Sequence, residues 1–383
     1  MLSCQKDKFK LPETLTYLNG AYMSPLLKSV EKIGHEAVSK KCLPFEIVAE
    51  DFFSGVENLR KGFADFIDVP DFRNTAVIPS VSYGIATVAN NIKLRSGDEI
   101  IIADAQFPSN VYAWQNIAKK NNAKVTIVKP PSSFNNRGLV WNENILSAIN
   151  KKTALVALGP VHWADGTLFD LLAIREKTKK NNALMIIDGA QSLGALPFSV
   201  KDIEPDALVT VGYKWLLGAY GLGMAYYSNH FNDGEPIENN WINRFNSEDF
   251  SQLVNYQPKY QPKAGRYNMG ECSNFNLVPM LTKSISQLSE WQPENIQKYC
   301  DKISKKGIDE LRSLGCFIEE DALRAKHIFG VYLPKQINLD KLKSKFKENN
   351  IYVSFRGEAI RISPNVYNNE DDFDKLVACF KSI

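Results

Sequence analysis

Between about residues 75 and 230, short apolar runs alternate with amphipathic stretches, and this rhythm admits few folds. The runs are Glu99–Ala103, Lys124–Val128, Ala154–Leu158, Ala183–Asp188, Ala207–Thr210 and Gly223–Tyr227, all of strand length. Stretches of helical periodicity lie between them, including Ser82–Ile92, Asn110–Lys120 and Leu171–Lys180. Strands that alternate with helices at this spacing build a mostly parallel central sheet flanked by helices on both faces. The expected fold class is therefore α/β. Ligands of such sheets bind beyond the carboxyl ends of the strands, so the residues just after each run are the first candidates for function.

From about Phe231 to Asn276 the rhythm breaks into a stretch rich in Asn, Pro, Gln, Tyr and Gly. Long irregular segments in compact proteins are usually functional or interfacial. Helical pattern returns after Val278. It is followed by a strand-like run at Ile328–Leu333, a helix at Leu339–Asn349, strands near Ile351–Phe355 and Ala359–Ile362, and a final helix from about Glu370. A chain of 383 residues exceeds the size at which one core keeps growing. The expected division is an N-terminal arm (1–24), a large domain (25–277) and a smaller C-terminal α+β domain (278–383) that packs with the arm.

Charge excludes little but is informative. With 46 basic and 43 acidic residues the net charge is +3, too small to suggest a nucleic-acid partner. Lysines such as Lys177, Lys179 and Lys180 read as solvated helix faces. The six cysteines (Cys4, Cys42, Cys272, Cys300, Cys316, Cys379) show no CxxC pair and no metal-like spacing. Free thiols in a reducing compartment, and no metal, are expected. The first fifteen residues lack an apolar run, and no stretch reaches the ~18–20 apolar residues of a membrane span. A cytoplasmic protein with no membrane partner is the expectation.

The strongest local signal is Ala183-Leu184-Met185-Ile186-Ile187-Asp188-Gly189-Ala190-Gln191, an apolar strand that ends in a carboxylate and small residues. Such a carboxylate is costly to bury unless a cation or strong donor meets it. Twenty-six positions after Asp188 comes Lys214, in Thr210-Val211-Gly212-Tyr213-Lys214-Trp215. Desolvation favours the neutral amine, the form that makes an imine with an aldehyde. A buried acid that keeps a heterocyclic nitrogen protonated, beside such an amine, suits pyridoxal phosphate chemistry. Either residue alone has a plainer reading, as a helix cap or a surface lysine.

Upstream, Val77-Ile78-Pro79-Ser80-Val81-Ser82-Tyr83-Gly84 opens a helix whose free amides could hold a phosphate, or whose serines merely cap it. Phe107, in Ala105-Gln106-Phe107-Pro108-Ser109-Asn110, could stack on a flat ring or sit in the core. No GxGxxG or GxxxxGK follows the early strands, which argues against a nucleotide-binding protein.

The order SVSYG, FPSN, DGAQ and GYK resembles the class V aminotransferase family of fold-type I pyridoxal phosphate enzymes. That group includes cysteine desulfurases, kynureninases and isopenicillin N epimerase-like proteins. Tyr17-Leu18-Asn19-Gly20-Ala21, Gly270-Glu271-Cys272-Ser273-Asn274-Phe275 and Arg361-Ile362-Ser363-Pro364 extend the resemblance over essentially the whole chain. It implies that Lys214 forms the Schiff base and moves protons at the alpha carbon. Asp188 would pair with the pyridinium nitrogen, Ala190 and Phe107 would flank the ring, and Gln191 would bond its phenolic oxygen. Val81 and Ser82, with Tyr213, would hold the phosphate, and Arg361 the substrate carboxylate. A homodimer is implied, with the Gly270 region near the partner's site.

The departures are also informative. Where cysteine desulfurases carry a reactive cysteine, this chain reads Ser354-Phe355-Arg356-Gly357-Glu358-Ala359-Ile360. Those enzymes stack a histidine where this chain has Phe107-Pro108. Glu271 stands where some relatives have a phosphate-binding threonine. Cys272 is the only cysteine near an expected site, and His162-Trp163 either lines the substrate side of the ring or packs structurally. The first expectation is an aminotransferase-like enzyme acting on an amino acid. A racemase or epimerase, a carbon–sulfur or carbon–carbon lyase, and a non-catalytic pyridoxal phosphate-binding protein are the alternatives.

Overall fold

The computed structural model describes residues 2–383. The arm carries a two-residue strand, β1 (Thr16–Tyr17), and helices α1 (Lys28–Lys41) and α2 (Ser54–Phe66) follow. Then come β2 (Thr75–Ile78), α3 (Val81–Asn90), β3 (Glu99–Ala103), α4 (Tyr112–Lys120), β4 (Lys124–Val128), α5 (Arg137–Ala148) and β5 (Thr153–Leu158). They lead into α6 (Leu171–Lys180), β6 (Leu184–Asp188), the short α7 (Val200–Ile203), β7 (Ala207–Val211) and β8 (Gly223–Tyr227). The remainder holds α8 (Leu277–Trp291), α9 (Pro293–Ser313), β9 (Phe329–Tyr332), α10 (Leu339–Glu348), β10 (Ile351–Tyr352), β11 (Ser354–Arg356), β12 (Ala359–Ile362) and α11 (Glu370–Lys381).

Strands β2 to β8 form one seven-stranded sheet in the order β2-β8-β7-β6-β5-β3-β4. Its members β3 to β7 pair in parallel, while β8 runs antiparallel to both β7 and β2. The side-chain period of two divides each strand between the two faces. Thus Ile101, Val156, Met185, Ile187 and Leu208 enter one core, and Ile100, Ile102, Leu155, Ile186 and Val209 enter the other. Helix α8 packs on α1 and α2, so Leu281, Ile285 and Leu288 join the first of these cores. A third core gathers α9, α10, α11 and the antiparallel sheet β11-β12-β9, together with Leu18 from the arm.

The winding of the large sheet reverses at β3, which has β4 on one side and β5 on the other. A crevice opens at such a switch point, beyond the carboxyl ends of the strands. Strand β1 pairs in parallel with β10, Thr16 opposite Ile351, so the arm completes the C-terminal part. Among the described residues no helix is long and apolar enough to cross a membrane.

Candidate active site

A cavity of about 350 Å³ lies at the carboxyl ends of the sheet strands. Val81, Ser82, Phe107, Asp188, Ala190, Gln191, Tyr213 and Lys214 all line it, so residues from four separate connections converge there. Lys214 is only 7% exposed. Its Nζ lies 5.2 Å from the Phe107 ring centroid and 5.6 Å from that of Tyr213. Burial lowers the Lys214 pKa to about 8; Asp188 pulls it upward, and Arg361 and Arg356 push it further down. An amine in this range has a far larger neutral, nucleophilic fraction near physiological pH than an ordinary lysine.

Asp188 ends β6, and its Oδ1 accepts from the Ala190 amide at 3.0 Å. Burial raises its pKa, against the Ala190 hydrogen bond and the Lys214 charge. A cationic N–H in the cavity would offset that cost. On the opposite wall, Ser80 caps α3, its Oγ accepting from the Tyr83 amide at 3.2 Å and lying 2.9 Å from Ser82 Oγ. First-turn amides such as those of Val81 and Ser82 have no intrahelical acceptor, and the helix dipole favours an anion there. So Ser80 does the capping, and Ser82 remains beside the cavity.

Phe107 is 38% exposed, which removes it from the core and leaves it as a cavity wall. Ala105 turns the chain after β3 through a left-handed conformation (φ 48°), a cost often found at binding sites. Its carbonyl accepts from the Trp163 indole at 2.6 Å, and Trp163 meets Phe107 edge-on with centroids 5.3 Å apart. Gln191 is more committed than expected. Its Nε2 donates to the Ala21 carbonyl at 3.1 Å, and its Oε1 accepts from the Trp215 indole at 2.9 Å. The second N–H of that amide and one lone pair of its oxygen are left for a ligand.

Arg361 does not line the cavity itself but backs its Trp163 wall. Its Nη1 donates to the Trp163 carbonyl at 2.9 Å, and it is only 1% exposed. Both Nε and Nη2 are buried without a partner. Burial, with the neighbouring Arg356 adding to it, lowers the Arg361 pKa to about 9. A buried guanidinium with two idle donors and no counter-ion calls for an anion.

His162 lines the cavity and is held from behind. Its Nδ1 lies 3.1 Å from Asp165 Oδ1 and its Nε2 3.1 Å from the Asp104 carbonyl. Asp165 also pairs with Arg137 at 2.9 Å and accepts from the Tyr332 hydroxyl at 2.9 Å. Sequence reasoning missed Asp165, Arg137 and Arg356, because isolated charges outside a motif read as solvated surface. Cys272 is not at the cavity. It is 1% exposed, borders a separate hollow with Arg60 and Asn268, and burial pushes its thiol up to about 11. Gly270 donates its amide to Glu238, while Glu271 is exposed with φ 57°.

Comparison with known proteins gives this geometry a family. A model described as aminotransferase class-V matches residues 46–376, and the chain belongs to that family. A probable cysteine desulfurase of Borreliella burgdorferi is 23% identical, over 97% of this chain and 89% of its own length. An uncharacterized aminotransferase of Bacillus subtilis, YcbU, is 24% identical over 82% of this chain and 80% of its own. Among solved structures, a C-DES mutant with glycine covalently linked to its PLP cofactor superposes with a TM-score of 0.86 at 18% identity, covering 98% of each chain. The Escherichia coli cysteine desulfurase CsdA gives 0.83 at 17% identity, covering 98% of this chain and 96% of its own. The fold is thus that of the fold-type I enzymes, and pyridoxal phosphate is the family's cofactor. The donor set fits it: an unpaired buried amine, a buried acid, free helix amides and an aromatic wall.

Proposed function

We propose that this chain is a pyridoxal phosphate-dependent, aminotransferase-like enzyme acting at the α-carbon of an amino acid. The observation that carries the proposal is Lys214, an amine 7% exposed that shares its cavity with the buried acid Asp188. When bound, the cofactor supplies an aldehyde that condenses with amines and a ring that draws electrons from the α-carbon. Lys214 would hold the cofactor through Nζ and, with substrate bound, would take and return the α-proton. Asp188 would keep a proton on the ring nitrogen. Ala190 and Phe107 would flank the ring, and Gln191 would offer an N–H to the phenolic oxygen. Val81 and Ser82, with Tyr213, receive the phosphate, and Arg361 grips the substrate carboxylate through Nε and Nη2. Phe45, 79% exposed, and Tyr256, 93% exposed, support a homodimer, with the Gly270 loop approaching the partner's site.

Loss of a β-substituent is the second reading. It is supported by the relatives named cysteine desulfurase and by C-DES, described as a cystine C-S lyase. The hairpin from Ser354 to Ile362 carries no cysteine to receive sulfur. An amino-acid panel scored for keto acid, sulfide, alanine and enantiomer exchange tests both readings. Keto acid that retains the side chain is expected, whereas sulfide release without amino transfer would replace the first reading by the second. The purified protein should be yellow, and Lys214→Ala should abolish that absorbance. A colourless wild-type protein that takes up no added cofactor would overturn both.

A further inference from the structure

Strands β11 and β12 form a hairpin that carries a second arginine beside Arg361. Arg361 is paired with Ser354, and Arg356 lies two residues further along β11. Alternate residues of a strand share a face, so Arg356 and Arg361 are diagonal neighbours on one face, roughly 7–8 Å apart at the backbone. Their guanidinium carbons lie 5.5 and 5.8 Å from the same Trp163 ring centroid. The arginine ion pairs among the described residues involve Arg73, Arg137, Arg175, Arg312 and Arg324. Arg356 and Arg361 are in none of them. Arg356 Nη1 donates to its neighbour's carbonyl at 2.7 Å, and its Nε is buried without a partner.

Two like charges on one face, Arg361 buried and Arg356 half-buried, oppose each other. One α-carboxylate neutralises one of them and leaves the other. We propose that Arg356 receives an acidic group at the end of the substrate's side chain, so that the enzyme's substrates are amino acids with a second anion, a carboxylate or a sulfur oxyacid. The inference rests on the reading of Arg361 as the α-carboxylate site. Trp163 then acts as a flat spacer that sets where the two anions lie. Asparagine or alanine would leave the Arg356 charge unmet.

The test compares aspartate with asparagine and glutamate with glutamine, and adds cysteine sulfinate, using the holoenzyme. Cofactor absorbance, measured first, reports on Lys214 alone. Wild type should favour each acid over its amide at least about tenfold in kcat/KM, and Arg356→Gln should collapse that ratio by a similar factor. Arg356→Lys should restore part of it. Calorimetry gives a readout that needs no turnover: succinate should bind at least about tenfold tighter than butyrate, and Arg356→Gln should remove the difference. A wild-type enzyme indifferent to the acid, or a variant that loses acid and amide alike, would overturn the proposal. Loss of amides and acids together in Arg361→Ala bears on the α-carboxylate reading instead.

Discussion

Lys214 feels opposing influences: burial and two arginines favour its neutral form, and Asp188 favours its charged form. A value of about 8 means that its reactivity rises as pH climbs through that value, well before an ordinary lysine near 10.4 responds. Condensation of the cofactor-free protein with an uncharged aldehyde should therefore accelerate from pH 6.5 to about 8.5 and then level off, with Lys214→Ala as the control. Arg361→Ala removes a cation that holds the amine down, so the midpoint should move to higher pH. An unmoved midpoint would mean that the two side chains are electrostatically independent. The rate is read by trapping with borohydride and peptide mapping of Lys214. At this scale the convergence of Asp188, Lys214 and the Ser80–Ser82 turn on one cavity was legible from their places just after sheet strands. Arg356 was not, because its neighbour across the hairpin is specified only by the pairing of β11 with β12.

The connection from β5 to α6 shows how one element serves both the site and the frame. His162 and Trp163 face the cavity, and the following residues are stitched to the C-terminal part. Gly166 adopts φ 78°, and a Cβ there would sit 2.0 Å from the Ile328 carbonyl, so only glycine allows this approach. The Asp165 carbonyl accepts from the Gly330 amide at 2.8 Å, and its carboxylate holds Arg137, His162 and Tyr332. Burial works against ionisation of Asp165, yet His162 and Arg137 hold it well below the usual carboxylate range. Its contribution is therefore present above the unfolded value of about 3.9 and lost as pH falls through the lower folded value. Asp165→Asn should destabilise the protein by about 3–5 kcal/mol at neutral pH, because Arg137 is left buried and unpaired. It should also reduce the acid sensitivity of the urea midpoint. Helix α5 bears Arg137, and buried Arg137 and Asn142 interrupt its apolar face. Strands Glu99–Ala103, Lys124–Val128 and Gly223–Tyr227 were read to the residue, since each is a short run of mostly apolar, β-branched or aromatic residues. The run Ile351–Phe355 divides instead into β10 and β11, which belong to different sheets.

For the whole molecule, the two large cores follow from the alternation of apolar runs, and the third unites distant segments that no local pattern connects. Helix α8 illustrates the limit. Its apolar stripe is plain in the sequence, but only the structure shows that the stripe faces α1 and α2. Exposed Phe45, Val48, Val254 and Tyr256 lie outside these cores. In light scattering the protein should have the mass of two chains, and Phe45→Asp combined with Tyr256→Asp should halve it. A wild type with the mass of one chain would remove the homodimer from the proposal.

The pairing of β1 with β10 carries a temporal consequence. A ribosome delivers residues 16 and 17 long before their pairing mates, Ile351 and Tyr352. The arm must wait beside a growing polypeptide, so docking of the third core follows synthesis of β10, and chains arrested before that point should be selectively open to proteases.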